Sequence, residues 1–140
     1  MELPASAREL IESGALGHFV TINPGGSPQV TCVWFGIENG ELVSGHLGRW
    51  RKVENIERDP RVVVSFEGTR IYPPGLKEYL VVHGRARVTE GGAPELLGRL
   101  ARVYLGPDVK FPPMPDPPPG FVARISVERI GGVGPWAERR

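Results

Sequence analysis

Cysteine is nearly absent from this 140-residue chain: Cys32 stands alone, so no disulfide can form within it. A reducing compartment is the default for such a chain. Long apolar runs are missing as well, and nothing approaches the roughly 20 residues a membrane span requires. The first residues, MELPASARELIESG, are charged and amphipathic and lack the apolar centre of a secretory signal, so a cytoplasmic location is expected. An excess of either charge is missing too. Seventeen basic and sixteen acidic side chains leave a net charge of +1, which gives no ground for a nucleic-acid partner. His18, His46 and His83 are too scattered for a metal motif. No set of residues has the pattern of a nucleophilic triad or a carboxylate dyad.

What is present describes one globular domain, residues 1–140. Apolar residues make up 40% and charged residues 24%, enough to bury a core without staples. Nineteen glycines and fifteen prolines imply many turns between short strands. Residues 5–13 are expected to form a helix ended by Gly14. A strand follows over 17–23, then a Pro-Gly-Gly-Ser turn over 24–27. Residues 29–38 are apolar on both faces and are expected to form a central, buried strand, with Cys32 in the core. Asn39-Gly40 is the strongest hairpin signal in the chain and leads into a strand over 41–46.

The apolar period then changes. Trp50, Val53 and Ile56 are spaced by three, so 48–59 is expected to be helical, with Pro60 ending it. Further strands are expected over 61–67, 79–90 and 121–130. Between the last two lies the clearest helix, 94–105, with Pro94 at its start and Gly106 after its end. Residues 107–119 hold seven of the fifteen prolines and are expected to be extended, as a lid or as a spacer. Many strands with little helix between them point to a mainly β (α+β) fold, an antiparallel barrel with helices at its ends.

The stretch richest in chemistry is 44–60, SGHLGRWRKVENIERDP. Arg49, Arg51 and Lys52 crowd the start of a helix, where the macrodipole disfavours cations. Free backbone N–H groups and cationic side chains together make a phosphate site; the alternative is a solvated basic helix face. With Lys52, Asn55, Ile56, Asp59 and Pro60 it reads K-x-x-N-[IL]-x-x-D-P after a strand. That motif, the opening helix, the strand ending at Asn23, the run Pro28-Gln29-Val30-Thr31 and the H-G-x-A-x-V of 83–88 resemble the pyridoxamine 5'-phosphate oxidase-like flavin-binding split barrels. The resemblance covers nearly the whole chain and is greatest to the branch that uses the deazaflavin coenzyme F-420.

It implies a six-stranded antiparallel split β-barrel and a homodimer with cofactor clefts at the interface. It also implies an oxidoreductase that transfers a hydride to an unsaturated small molecule. FMN is the alternative cofactor, and a non-catalytic flavin-binding or storage protein is the alternative role. The further phosphate ligands of pyridoxamine phosphate oxidases proper are missing, which argues against vitamin B6 oxidation.

Position by position, the resemblance makes Lys52 the phosphate-binding lysine, with Arg49 and Arg51 beside it. Asn55 is expected to fix the helix against the sheet. Gln29, Thr31 and Val33 share the strand face that runs beside the ring, although Thr31 also reads as an ordinary strand threonine. Ser44, Gly45, His46 and Leu47 match the segment along the cofactor's chain, with Gly45 and Gly48 leaving room for a longer, anionic tail. Tyr79 matches a position facing the partner's cleft. Trp136 is expected either to fold over the cofactor or to dock on the barrel.

Overall fold

The chain alternates short apolar stretches with glycine and proline turns, and a computed structural model describes residues 1–137. Its elements in order are α1 (Ala5–Glu12), β1 (Gly17–Ile22), β2 (Pro28–Val33), β3 (Gly36–Glu38), β4 (Glu41–His46), α2 (Arg51–Arg58), β5 (Arg61–Tyr72), β6 (Leu76–Glu90), α3 (Ala93–Tyr104) and β7 (Phe121–Val133). The strands form one antiparallel sheet in the order β2-β1-β5-β6-β7-β4-β3. It coils into a split barrel. The count is seven, not six, because the expected strand over 29–38 breaks at Trp34–Phe35 and its second part, β3, is three residues long.

The Asn39-Gly40 turn joins β3 to β4, with φ of 52° and 77°. These are the two positive values a type I′ hairpin requires. Strands β5 and β6 run further than expected, meeting around Pro73-Pro74-Gly75. Their inward side chains, Val62, Val64, Phe66, Leu80, Val82 and Ala86, fill the barrel together with Ile125 and Val127 of β7. Phe19, Phe35 and Phe66 meet edge to face, at centroid distances of 5.3 and 5.7 Å. Gly17 makes this possible, since a Cβ there would lie 2.4 Å from the Phe35 ring. A second small cluster, Val43, Leu96, Leu100 and Val122, seats α3 on β4 and β7.

One expectation fails at β2. This strand lies at the edge of the sheet, and its alternate residues Pro28, Val30 and Cys32 are exposed. Cys32 is therefore a surface thiol and not a core residue. Apolar residues on two faces do not distinguish a central strand from an edge strand. Among the described residues no helix is long and apolar enough to cross a membrane.

Candidate ligand site at the start of helix α2

Strand β4 ends at His46, and five residues later α2 begins at Arg51. The residue at its N-cap is Trp50, which has no side-chain oxygen to offer the helix. The backbone N–H groups of Val53 and Glu54 bond to the Trp50 carbonyl. Those of Arg51 and Lys52 have no partner among the described residues. The Lys52 side chain is half-buried, and burial lowers its pKa from the ordinary value. No carboxylate pairs with it among the described residues. A desolvated cation without a counter-ion, beside two free N–H groups at the positive end of a helix, is an arrangement that can hold an anion.

A cavity of about 220 Å³ opens beside Lys52, lined by Cys32, Val33, Trp34, Gly45, His46, Trp50, Leu97 and Phe111. His46 is 5% exposed, and its Nε2 lies 2.8 Å from the fully buried Ser44 hydroxyl. Burial first, and the nearby Lys52 charge second, push its pKa down to about 3. His46 is thus a neutral imidazole at physiological pH. Behind it, Gly120 lies so near that a Cβ there would stand 2.3 Å from the His46 carbonyl oxygen. The aromatic wall comes from three elements. Trp34 stacks on Tyr104 at 5.4 Å, and Phe111 meets Trp34 edge-on at 5.2 Å. Tyr104 is tied in place by its hydroxyl, which donates to the Ala15 carbonyl at 2.8 Å and accepts from the Phe35 N–H at 3.0 Å.

Helix α2 is held by Asn55, which is 1% exposed. Its Nδ2 donates to Thr21 Oγ1 at 3.0 Å, to Asn23 Oδ1 at 3.1 Å and, at longer reach, to Gln29 Oε1 at 3.5 Å. Gln29 is drawn into this network instead of facing a ligand freely, and Thr21 also bonds to it at 3.2 Å. Thr31, two residues on, has a buried hydroxyl oxygen without a partner, the one such side-chain atom among the described residues.

The structure brings Lys52, His46, Gly45 and Val33 to one cavity. Other expected residues go elsewhere. The Arg49 guanidinium pairs with Glu57 and lies 5.3 Å from the Phe121 ring centroid, so its charge is already engaged. Arg51 is exposed and carries no ion pair among the described residues. Gly45 and Gly48 do not leave an open path. A Cβ on Gly45 would lie 3.0 Å from Leu97 Cγ, and on Gly48 2.6 Å from the Trp50 indole. These glycines admit packing, not a tail. Leu47 sits between them, half-buried, and does not line the cavity. Tyr79 and Trp136 do not line this cavity within the protomer. Trp136 is 6% exposed within the main core and donates from Nε1 to the Tyr79 carbonyl at 3.3 Å. Of its two expected placements, docking on the barrel is the one observed.

Two cavity residues depart from the sequence reading, Trp50 from the helical stripe and Cys32 from the core, while Phe111 of the proline-rich segment carries no reading of its own there. Two signals were there to be used: an aromatic where a helix cap normally stands, and a lone aromatic among prolines.

The sequence profile described as pyridoxamine 5'-phosphate oxidase matches residues 3–134, and the chain belongs to that family. The split barrel is shared with a solved F-420 reductase at 25% identity and a TM-score of 0.73, covering 92% of this chain and 98% of that one. A conserved hypothetical protein from Mycobacterium tuberculosis, Rv2991, is 27% identical with a TM-score of 0.72, over 94% and 84% of the two chains. HupZ of Group A Streptococcus is 18% identical with a TM-score of 0.65, over 99% and 100%, a likeness of fold alone. No curated protein sequence matches the chain.

Proposed function

We propose that this protein is an oxidoreductase that uses the deazaflavin coenzyme F-420 and reduces an unsaturated small molecule. The observation that carries the reading is Lys52: a half-buried cation with no counter-ion among the described residues, beside unsatisfied N–H groups and an aromatic-walled cavity. The residues fit a phosphate-bearing planar ring. Lys52 and the N–H groups of Arg51 and Lys52 would hold the phosphate. Trp34 and Phe111 offer flat apolar surface. Bound there, a deazaflavin supplies two-electron hydride chemistry, which this chain's own side chains cannot. The chain's part is to bind, orient and exclude water. His46, neutral at physiological pH, adds no charge of its own to the cavity.

The likeness to an F-420 reductase supports the deazaflavin over FMN. So does exposed Arg51, which can meet an anionic tail beyond the phosphate. The proposed working form is a homodimer, since the outer face of edge strand β2 carries Val30 at 60% exposure. In that form Tyr79, at 42% exposure, is available to the partner's cleft. The test is a fluorescence titration of the purified protein with F-420 and with FMN at low and high salt. Tighter binding of F-420, with part of the margin lost as salt screens the tail, is expected. FMN binding as tightly or more tightly overturns the assignment. Reduced F-420 offered with a panel of activated alkenes then separates an enzyme from a storage protein.

A further inference from the structure

The larger cleft of the protein lies elsewhere. Its volume is about 630 Å³, within the range that holds a small organic ligand. It runs between α1, the distorted middle of the β5–β6 hairpin and Trp136, and it shares no residue with the Lys52 cavity. At its floor is Glu78, a carboxylate only 6% exposed.

The hairpin is shaped around that carboxylate. Pairing between β5 and β6 shifts register between Glu67 and Ile71. The Thr69 and Arg70 N–H groups donate to Glu78 Oε2, at 3.2 and 3.4 Å. Gly68 is required there, since a Cβ would stand 2.1 Å from the same oxygen. Oε2 is therefore fully used in closing the bulge. Oε1 has no hydrogen-bond partner among the described residues, and it is not sealed from solvent. A buried carboxylate with one oxygen anchored and the other open to a cleft is half of an ion pair.

The rest of the cleft has the same bias. Glu9 of α1 lies on its wall without an ion pair among the described residues, and Glu67 is tied to Lys77 at 3.7 Å. The one lining cation, Arg70, lies in the electrostatic reach of Tyr72, Glu78 and Glu9 and forms no ion pair with either carboxylate among the described residues, so the lining holds three carboxylates against one cation. Leu10 and Trp136 supply apolar surface. No group of three or more His, Cys, Asp or Glu side chains placed to hold a metal ion occurs among the described residues.

The geometry points to a binding site for a small organic cation, a ligand whose amidinium, guanidinium or ammonium head meets Glu78 Oε1 while its apolar body lies against Leu10 and Trp136. Burial makes the carboxylate selective, because a neutral ligand of the same shape leaves the buried oxygen unpaired.

The experiment is isothermal titration of the full chain with benzamidine and with its neutral isostere benzamide. Saturable one-to-one binding of benzamidine is expected, with benzamide at least tenfold weaker. Glu78→Gln retains a side-chain oxygen for the two bulge N–H groups and removes the charge. It should lower benzamidine affinity at least tenfold and leave benzamide unchanged, with circular dichroism reporting the fold. Where that variant does not fold, Glu9→Gln on the helix wall is read instead and should weaken benzamidine twofold or more. Absence of saturable benzamidine binding, equal binding of benzamide, or unchanged benzamidine affinity in the folded variant overturns the inference.

Discussion

Lowering the pH from 7 to 4.5 should destabilise this protein through His46 in particular. In the folded state the ring is 5% exposed and beside the Lys52 charge, and its pKa falls from 6.5 to about 3. In the unfolded chain it regains the ordinary value. Between those two values the unfolded state binds the extra proton, so stability rises with pH across that window. The contribution is fully present above about pH 6.5 and is lost progressively as the pH falls toward 3. At about 1.4 kcal/mol per unit, the whole shift corresponds to roughly 4–5 kcal/mol, of which about half is lost between pH 7 and pH 4.5. Asp59 and the other carboxylates titrate lower in the same range, so the wild-type curve alone is not diagnostic. His46→Gln isolates the effect, because glutamine can still bond to Ser44 and does not titrate. Urea unfolding of both proteins at pH 7 and pH 4.5 gives the stability gap at each pH. The gap favouring wild type should shrink, or reverse, by about 2–3 kcal/mol at the lower pH. Parallel pH profiles for the two proteins would refute the burial argument.

Lys52→Ala should weaken F-420 binding by about 1.5–3 kcal/mol, the worth of a charge-assisted hydrogen bond, in a fluorescence titration. Melting of the ligand-free variant should be unchanged or raised, because a desolvated cation without a counter-ion is removed; an unchanged dissociation constant would sink the phosphate assignment. Asn55→Asp is nearly isosteric but replaces a donor that serves Thr21 and Asn23 by an acceptor. It should cost at least about 2 kcal/mol in urea unfolding, as much as Asn55→Ala or more. Gly84→Ala would bring a Cβ within 2.3 Å of the Ser126 carbonyl oxygen on β7. A loss of about 3 kcal/mol or more in thermal unfolding is expected, since two strand backbones have to separate. Light scattering at micromolar concentration should give twice the mass of one chain, and a stable monomer would contradict the proposed dimer.

Much of the fold was legible because its signals are local. The Asn39-Gly40 hairpin, the Pro94 and Gly106 limits of α3, and the break at Pro60 each rest on backbone preferences that hold wherever the chain is placed. The 2-to-3.6 change of apolar period near Gly48 likewise announced α2. Lys52 could be singled out because cations at a helix start conflict with the dipole whatever surrounds them. Asn55 could be assigned to holding the helix because one turn of helix carries it to the sheet side.

Position across the sheet is a different kind of information. Whether β2 is central or at the edge depends on which strands lie beside it. Its apolar alternation therefore misplaced Cys32. Glycine at 45 and 48 reads as space in a sequence, but neighbours that arrive from distant parts of the chain fill it, Leu97 in the first case. Arg49 was counted toward the ligand until Glu57, two helical turns on, claimed it. Trp136 and Glu78 belong to a cleft assembled from α1, a strand bulge and the segment after β7, three parts of the chain distant in sequence. Local chemistry thus determined the elements and the cationic character of the start of α2. Tertiary structure decided which charges remain free and which carboxylate is buried, because pairing and desolvation are properties of neighbours in space.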